Sequence, residues 1–224
     1  MRIAFSLRKI GALNLAIAAV IGFYALKATP AEAMTFQTIS GPTECVQREC
    51  IQATGLVDGH TTSDFQALIR SHHIAPGALV VLNSEGGVLL YGLRFGEAIR
   101  KAGFSTEVGT YDAASAVLQP AECASACAFV FLGGVERHVT LGSKVGVHQI
   151  YANLQARDGL SVGDVQYLTS LCAMHIDSMG GSVGILVEAL RTPPQGVHWF
   201  STEEMVRLAV VTQRKSPILT LASN

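Results

Sequence analysis

The sequence predicts a single-domain α/β protein with a mostly parallel sheet. Short apolar runs such as 78–82 and 144–148 alternate with segments of helical spacing such as 61–73 and 88–102. The links between these segments are short, as in chains whose strands and helices alternate. No GxGxxG or GxxxxGK[ST] motif is present, which argues against a doubly wound nucleotide-binding fold.

The elements follow from periodicity and capping residues. We predict strands at 34–40, 50–57, 78–82, 104–108, 139–141, 144–148, 197–200 and 210–212. We predict helices at 61–73, 88–102, 123–132, 161–179 and 182–190, and one more from Ser201 onward. Thr61 or Thr62 caps the first helix, Gly103 ends the second, and Ser201 begins a capping box with Glu204. The helix at 123–132 is almost wholly apolar, which predicts burial on all sides.

The first 33 residues have the composition of an export signal. A basic start is followed by the apolar run 10–26 and then by Ala31-Glu32-Ala33, which matches the small-residue cleavage rule. We therefore expect residues 1–33 to be a signal peptide and residues 34–224 to be a periplasmic or secreted domain. The alternative is an uncleaved membrane anchor, because the apolar run is at the short edge of spanning length.

Composition limits the partners of the mature chain. Residues 34–224 carry 12 Lys and Arg against 16 Asp and Glu, a net charge of −4. This balance lacks the basic surface that nucleic-acid binding needs, so we expect no nucleic-acid partner. No further apolar segment reaches spanning length, and we expect membrane contact only through an uncleaved signal segment. No four-ligand set is evident, and we expect neither a metal nor a cofactor.

All five cysteines lie in the predicted mature part, and in an oxidising compartment they predict disulfides with one thiol left over. Cys45 and Cys50 close a short loop and are the first pair that we expect. Cys123 and Cys127 are the other candidates. On a helix they would share a face, with a Cα separation near the upper limit for bridging. Cys172, among apolar neighbours on a predicted helix, is the expected buried free thiol.

Three local patterns predict acyl-transfer chemistry. Gly86-Gly87 lies between a predicted buried strand and a helix, where uncovered backbone N–H groups can bind an oxyanion. Ser125 lies at the entry to a buried helix, where the Ala126 N–H adds a further donor to those of Gly86 and Gly87. His148 ends a strand and is the candidate base. Each pattern alone has a plain structural explanation, and only their order and setting together point to a site.

The same residues resemble a known family. Asn83-Ser84-Glu85-Gly86-Gly87 resembles the Asn-Ser-Pro-Gly-Gly segment of Clp protease proteolytic subunits. Cys123-Ala124-Ser125-Ala126 is similar to their nucleophile turn, and Val147-His148-Gln149 is similar to their Met/Ile-His-Gln. The resemblance spans residues 78–212. It implies the Clp/crotonase fold, a stack of ββα units that assembles into rings or trimers, and it extends to exported, uncharacterised periplasmic relatives. It also implies Ser125 as nucleophile and His148 as base.

Two residues depart from the family pattern. Glu85 replaces the proline and places a carboxylate beside the predicted oxyanion hole. Val197 stands where the family has the aspartate that orients its histidine. An equivalent loss lowers kcat by about 10⁴ in a triad protease. Asp177 is the candidate replacement for the third member, with Asp158 as the alternative.

A serine–lysine dyad would need Lys101 or Lys144, which are more simply solvated charges. We therefore expect an exported serine hydrolase that acts on peptides or proteins and forms a homo-oligomer. The alternative is an inactive binding or assembly module of the same fold, which Glu85 and Val197 favour. An acyl-CoA hydratase or hydrolase of this fold is a further alternative, although the sequence shows no basic patch for the phosphates of that ligand.

Overall fold

The computed structural model describes residues 32–150 and 160–212. Residues 1–31, which hold most of the predicted signal peptide, and Asp158 lie outside these ranges. The strands are β1 (Thr35–Ile39), β2 (Cys50–Thr54), β3 (Leu79–Asn83), β4 (Ser105–Val108), β5 (Thr110–Asp112), β6 (Val117–Gln119), β7 (Glu122–Ala124), β8 (Arg137–Val139), β9 (Lys144–Val147) and β10 (His198–Trp199). The helices are α1 (Thr61–His72), α2 (Leu89–Ala102), α3 (Ala126–Leu132), α4 (Val162–Ser178), α5 (Gly184–Arg191) and α6 (Thr202–Arg207). Among the described residues, no helix combines the length and apolar character of a membrane span.

The strands form one large and two small sheets. Five strands lie in the order β1-β2-β3-β4-β8, and all neighbours except β1 and β2 are parallel. A second sheet has the order β10-β9-β7, in which β7 and β9 are parallel. The antiparallel hairpin of β5 and β6 is the third. The predicted α/β class with a mostly parallel sheet is confirmed.

Strand β7 and helix α3 replace the single helix that the sequence predicts at 123–132. The chain is extended over Glu122–Ala124, turns at Ser125 and becomes helical at Ala126. Residues 123–126 are all small, so the segment has no apolar period that separates a strand from a helix. The apolar burial predicted for the helical part is confirmed, because every residue of α3 is buried.

Two further differences lie at the edges of the fold. The β5–β6 hairpin has no counterpart among the predicted elements, since its strands are only three residues each. The strand predicted at 210–212 is wrong. Its backbone is used differently, because the Val210 carbonyl accepts a hydrogen bond from the Arg137 side chain at 2.9 Å. Thr212 pairs with Arg137 through one backbone hydrogen bond, in which the Thr212 N–H donates at 3.2 Å.

Both expected cysteine pairs lie at disulfide distance. The Cα atoms of Cys45 and Cys50 are 5.7 Å apart, and those of Cys123 and Cys127 are 5.2 Å apart. The second pair joins β7 to α3, so it does not lie along one helix face as the sequence suggests. Cys172 is the buried free thiol, and burial raises its pKa to about 12.

Helix α3 packs very closely against α2. A Cβ atom added at Gly92 would lie 2.8 Å from the Ala126 carbonyl oxygen, and one added at Gly96 would lie 2.8 Å from the Phe129 carbonyl oxygen. Residues four apart on a helix share a face. Glycine at both positions therefore lets the two helix backbones come into contact, and this contact determines where α3 lies against α2.

The C-terminal end of α3 is held by two arginine side chains. Arg100 of α2 and Arg137 of β8 each donate four hydrogen bonds of 2.9–3.3 Å to backbone carbonyls, those of Leu132, Gly133, Gly134, Met179, Ala209 and Val210. Within the described ranges neither guanidinium group forms an ion pair. Burial, and then the charge of Arg100, lower the pKa of Arg137 to about 10, so Arg137 remains protonated at neutral pH.

Replacing Arg137 with alanine should strongly destabilise the domain. The change leaves buried carbonyls without donors, and hydrogen bonds to charged groups contribute about 1.5–3 kcal/mol each. We expect Arg137→Ala to lower the free energy of unfolding by about 3 kcal/mol or more, measured by urea denaturation. Arg207→Ala is the control, because its side chain is 57% exposed. Equal stability of the two variants would contradict a structural role for Arg137.

Candidate active site

Ser125 occupies a backbone conformation that serine rarely adopts. Its φ and ψ angles are 56° and −123°, which match the first central position of a type II′ turn, a position dominated by glycine. Such a conformation costs about 1–3 kcal/mol for a residue with a side chain. Ser125 is also only half-buried, whereas its neighbours on both sides are buried. The fold therefore holds one residue in a costly backbone conformation and leaves that residue partly exposed.

Gly86 and Gly87 lie beside this turn. The backbone of Ser84 bonds to that of β7, since Ser84 N–H donates to Glu122 O and Ala124 N–H donates to Ser84 O. A Cβ atom added at Gly86, whose φ is 115°, would lie 2.8 Å from the Ser125 Cβ. Only glycine fits at this place, because both the space and the positive φ exclude a side chain.

Of the three expected oxyanion donors, one is already occupied. The Gly86 N–H donates to Ser84 Oγ at 3.1 Å. The N–H groups of Gly87 and Ala126 have no acceptor among the described residues. The Ala126 N–H directly follows Ser125, and Gly87 lines the same cleft as Ser125, so these two N–H groups are the ones left to bind a developing oxyanion.

His148 follows β9, and its ring contacts a backbone carbonyl. Its Nδ1 lies 2.7 Å from the Gln149 carbonyl oxygen. A carbonyl oxygen only accepts hydrogen bonds, so this contact assigns a proton to Nδ1, and in the neutral imidazole Nε2 then carries the lone pair. Gln149 is itself anchored near the end of α5, because its N–H donates to Thr192 O at 2.9 Å and its Nε2 donates to Leu190 O at 2.7 Å.

Val197 lies opposite His148 in the second sheet. Strand β10 pairs His198 with Val147 in antiparallel register, and extending this register by one residue places Val197 across from His148. Val197, which stands where the resembled family has an aspartate, is therefore the residue that this register places next to His148. Asp177 does not replace it, because its exposed side chain on α4 makes no hydrogen bond or ion pair with His148 within the described residues. A backbone carbonyl orients the imidazole instead.

Neither candidate lysine reaches the serine. Lys144 is exposed and its Nζ lies 3.0 Å from Glu122 Oε1, while Lys101 is exposed at the end of α2. Neither lies among the residues that line the cleft described next. The described residues therefore offer no serine–lysine dyad at Ser125.

Ser125 and His148 open onto one cleft of about 600 Å³. Glu85 and Gly87 also line the cleft, and both residues are exposed. The rest of its wall is mainly apolar and includes Val88, Leu89, Leu90, Phe129, Ile150, Leu160, Leu168, Cys172, Leu186, Ala189, Leu190 and Pro194. No hydrogen bond joins Ser125 to His148 in the described part of the chain, and in ligand-free sites such bonds are often long. The cleft has the size and apolar lining typical of sites for organic ligands.

Comparison with solved structures identifies the fold. No protein-family model matches the chain, and no curated protein matches it in sequence. The chain is similar in structure to a serine-to-alanine mutant of the 1510-N membrane-bound stomatin-specific protease, with a TM-score of 0.52 and 15% identity over 71% of this chain and 75% of that one. A lysine-to-alanine mutant of the same protease in complex with a substrate peptide gives a TM-score of 0.53 and 16% identity over 71% of each chain. The chain has the Clp/crotonase-like fold that the sequence predicts.

Gly86→Ala should be much more harmful than the same change at a comparable glycine. Gly77→Ala is the control, because Gly77 also has a positive φ of 93° but has no atom within 4 Å of an added Cβ. Both variants carry the backbone penalty, and only Gly86→Ala pushes against Ser125. We expect Gly86→Ala to unfold at lower urea, with an excess cost of about 1–3 kcal/mol over the control. Similar losses in both variants would contradict the close contact.

Proposed function

We propose that this chain is an exported serine hydrolase that cleaves peptide bonds, with Ser125 as the nucleophile and His148 as the base. The observation that carries the proposal is the positive φ of Ser125 at the mouth of the cleft. Strain of this kind at a strand-to-helix turn is how a serine hydroxyl is presented in hydrolases of other folds. A glycine would relieve the strain, so the presence of a serine favours a use for its hydroxyl group.

The chemistry follows from the positions of the polar groups. Ser125 Oγ attacks the substrate carbonyl, and His148 Nε2 takes the hydroxyl proton. The Gln149 carbonyl holds the Nδ1 proton and so keeps Nε2 available as the base. The N–H groups of Gly87 and Ala126 stabilise the oxyanion. The protonated imidazole then gives its proton to the leaving amine, and water hydrolyses the acyl-enzyme by the same steps in reverse order.

The surroundings of the site support a peptide substrate and an exported protein. The apolar wall fits an extended peptide with apolar side chains, and one structural neighbour is in complex with a substrate peptide. Two disulfides fit an oxidising compartment, and together with the basic and apolar start of the chain they favour cleavage after Ala33 and periplasmic or secreted residence. We also propose a homo-oligomer, on the basis of the resemblance to ring-forming and trimeric relatives.

The second candidate is a binding or assembly module that has the fold without catalysis. Val197 favours it, because the residue that the extended β10 register places across from His148 has no carboxylate. Glu85 favours it as well, since a carboxylate at the edge of the cleft opposes a nearby oxyanion. In this case the same cleft would bind a peptide without cleaving it.

A fluorophosphonate probe should separate the two candidates. We expect the probe to label the wild type at Ser125, to leave Ser125→Ala unlabelled, and to react more slowly with His148→Ala by a factor of about 10²–10⁴. The control is Ser170→Ala, which changes an exposed serine on α4 and should react like the wild type. Mass spectrometry of the adduct gives the site. A folded wild type that the probe does not label contradicts the hydrolase and leaves the binding module.

Restoring the family carboxylate should raise reactivity. In Val197→Asp the new side chain would face His148 and stabilise the imidazolium that forms when Ser125 is deprotonated. We expect labelling about tenfold faster than the wild type or more, because the present acceptor is a neutral carbonyl. Val197→Asn is the matched control, since it adds a polar side chain of similar size without a charge. If the folded aspartate variant reacts no faster than the asparagine variant, Val197 does not face the base.

A further inference from the structure

We propose that the Cys123–Cys127 disulfide is a positioning element that holds Ser125 in its reactive conformation, so that the site is completed only after the bond has formed. The predicted effect of the disulfide on the reactivity of Ser125 rests on the proposed function. Its predicted effect on the backbone conformation of the turn does not. Its basis is the placement of the disulfide. The two half-cystines bracket the nucleophile, two residues away on each side.

The disulfide joins two elements that are each fixed elsewhere. Cys123 belongs to β7 and pairs with Val145 of β9 in parallel register. Cys127 belongs to α3, the helix that α2 and the arginine pair hold in place. The Cα atoms of the two residues are 5.2 Å apart, whereas four extended residues would span about 13 Å. The bond therefore forces the chain to reverse direction at Ser125.

The turn needs such a restraint because its preferred conformation is different. With a φ of 56°, Ser125 has a backbone penalty that a change of φ to a negative value would relieve. Among the described residues, its backbone is held by two hydrogen bonds, from Ser125 N–H to Gly146 O at 2.9 Å and from Ala128 N–H to Ser125 O at 3.0 Å. A cross-link over a short loop removes most of the alternative conformations of that loop.

The bond is a permanent restraint of the folded domain. Cys123 and Cys127 are both fully buried, so a reductant in solution has no direct path to either sulfur atom. The bond is made once, when two thiols lose two electrons and two protons to a protein disulfide oxidant, which is reduced to its dithiol. Such oxidants act outside the reducing cytosol. In the proposed hydrolase, the turn at Ser125 would therefore lack this restraint until the protein is exported.

The second disulfide provides a matched control. Cys45–Cys50 closes a loop of similar length, but it joins a short 3₁₀ turn to β2 and packs against Leu79 and Val81, outside the cleft. Removing either bond should cost stability by the same mechanism. Only the bond across Ser125 should affect the nucleophile.

The experiment compares Cys123→Ala/Cys127→Ala with Cys45→Ala/Cys50→Ala and the wild type. Fluorophosphonate labelling gives the maximal rate and the probe concentration at half-maximal rate. We expect the first variant to lose about 10- to 100-fold in maximal rate with little change in the half-maximal concentration. Hydrogen exchange should speed up in the peptide that contains residues 122–132 and stay unchanged on α1. The control variant should keep the wild-type labelling and the wild-type exchange at 122–132.

A glycine at the turn separates positioning from general stabilisation. Ser125→Gly removes the φ penalty, so in this background loss of the Cys123–Cys127 bond should no longer speed exchange at 122–132. If the alanine pair folds only in this background, the rescue itself shows that the bond offsets the φ penalty at Ser125. With Ser125 present, equal labelling and equal exchange with and without the bond overturn the inference and leave the hydrolase in place. A wild type without labelling overturns the hydrolase, and exchange alone then decides the role of the disulfide.

Discussion

The guanidinium groups of Arg100 and Arg137 lie against the same stretch of backbone, and the position of α3 depends on them. Each supplies several donors to carbonyls at the C-terminal ends of α3 and α4, where the partial charge is negative and no further helical N–H is available. Both share the carbonyls of Gly134 and Met179. These contacts at its C-terminal end and along its side set the position of α3, and Ser125 lies at the N-terminal end of the same helix.

Much of the fold could be predicted because its elements have clear periods and ends. Strand β3 is a buried apolar run, and α2 ends at Gly103, whose φ of 72° is the left-handed conformation that glycine favours. Strand β7 could not be predicted, since small buried residues fit a strand and a helix equally well. The strand that the sequence predicts at 210–212 is wrong for a different reason. Its residues are typical of a strand, but the Val210 carbonyl accepts a hydrogen bond from the Arg137 side chain.

The candidate site was predictable in its residue types and much less so in its backbone. The sequence identifies Ser125 and His148, and the structure opens both onto one cleft. The sequence does not reveal that the Gly86 N–H donates a hydrogen bond to Ser84 Oγ. Nor does it reveal that His148 Nδ1 contacts the Gln149 carbonyl oxygen. Every residue has a backbone carbonyl, so the residue types do not show which carbonyl contacts the histidine. The sequence therefore predicts an aspartate such as Asp177 as the third group, because it shows side chains and not backbone contacts.

The contact between α2 and α3 has a consequence for how such a protein can be recognised. At Gly92 and Gly96 the nearest neighbours are the carbonyl oxygens of Ala126 and Phe129, and a carbonyl oxygen is the same whichever residue provides it. The Ala126 Cβ and the His175 ring are the next neighbours, so the arrangement restricts the two glycines and the few residues that touch them. Lineages that keep this architecture can diverge until pairwise alignment no longer detects them, while superposition of their chains still does. The fold that this chain shares with a solved structure at 15% identity is detected by superposition and not by sequence comparison.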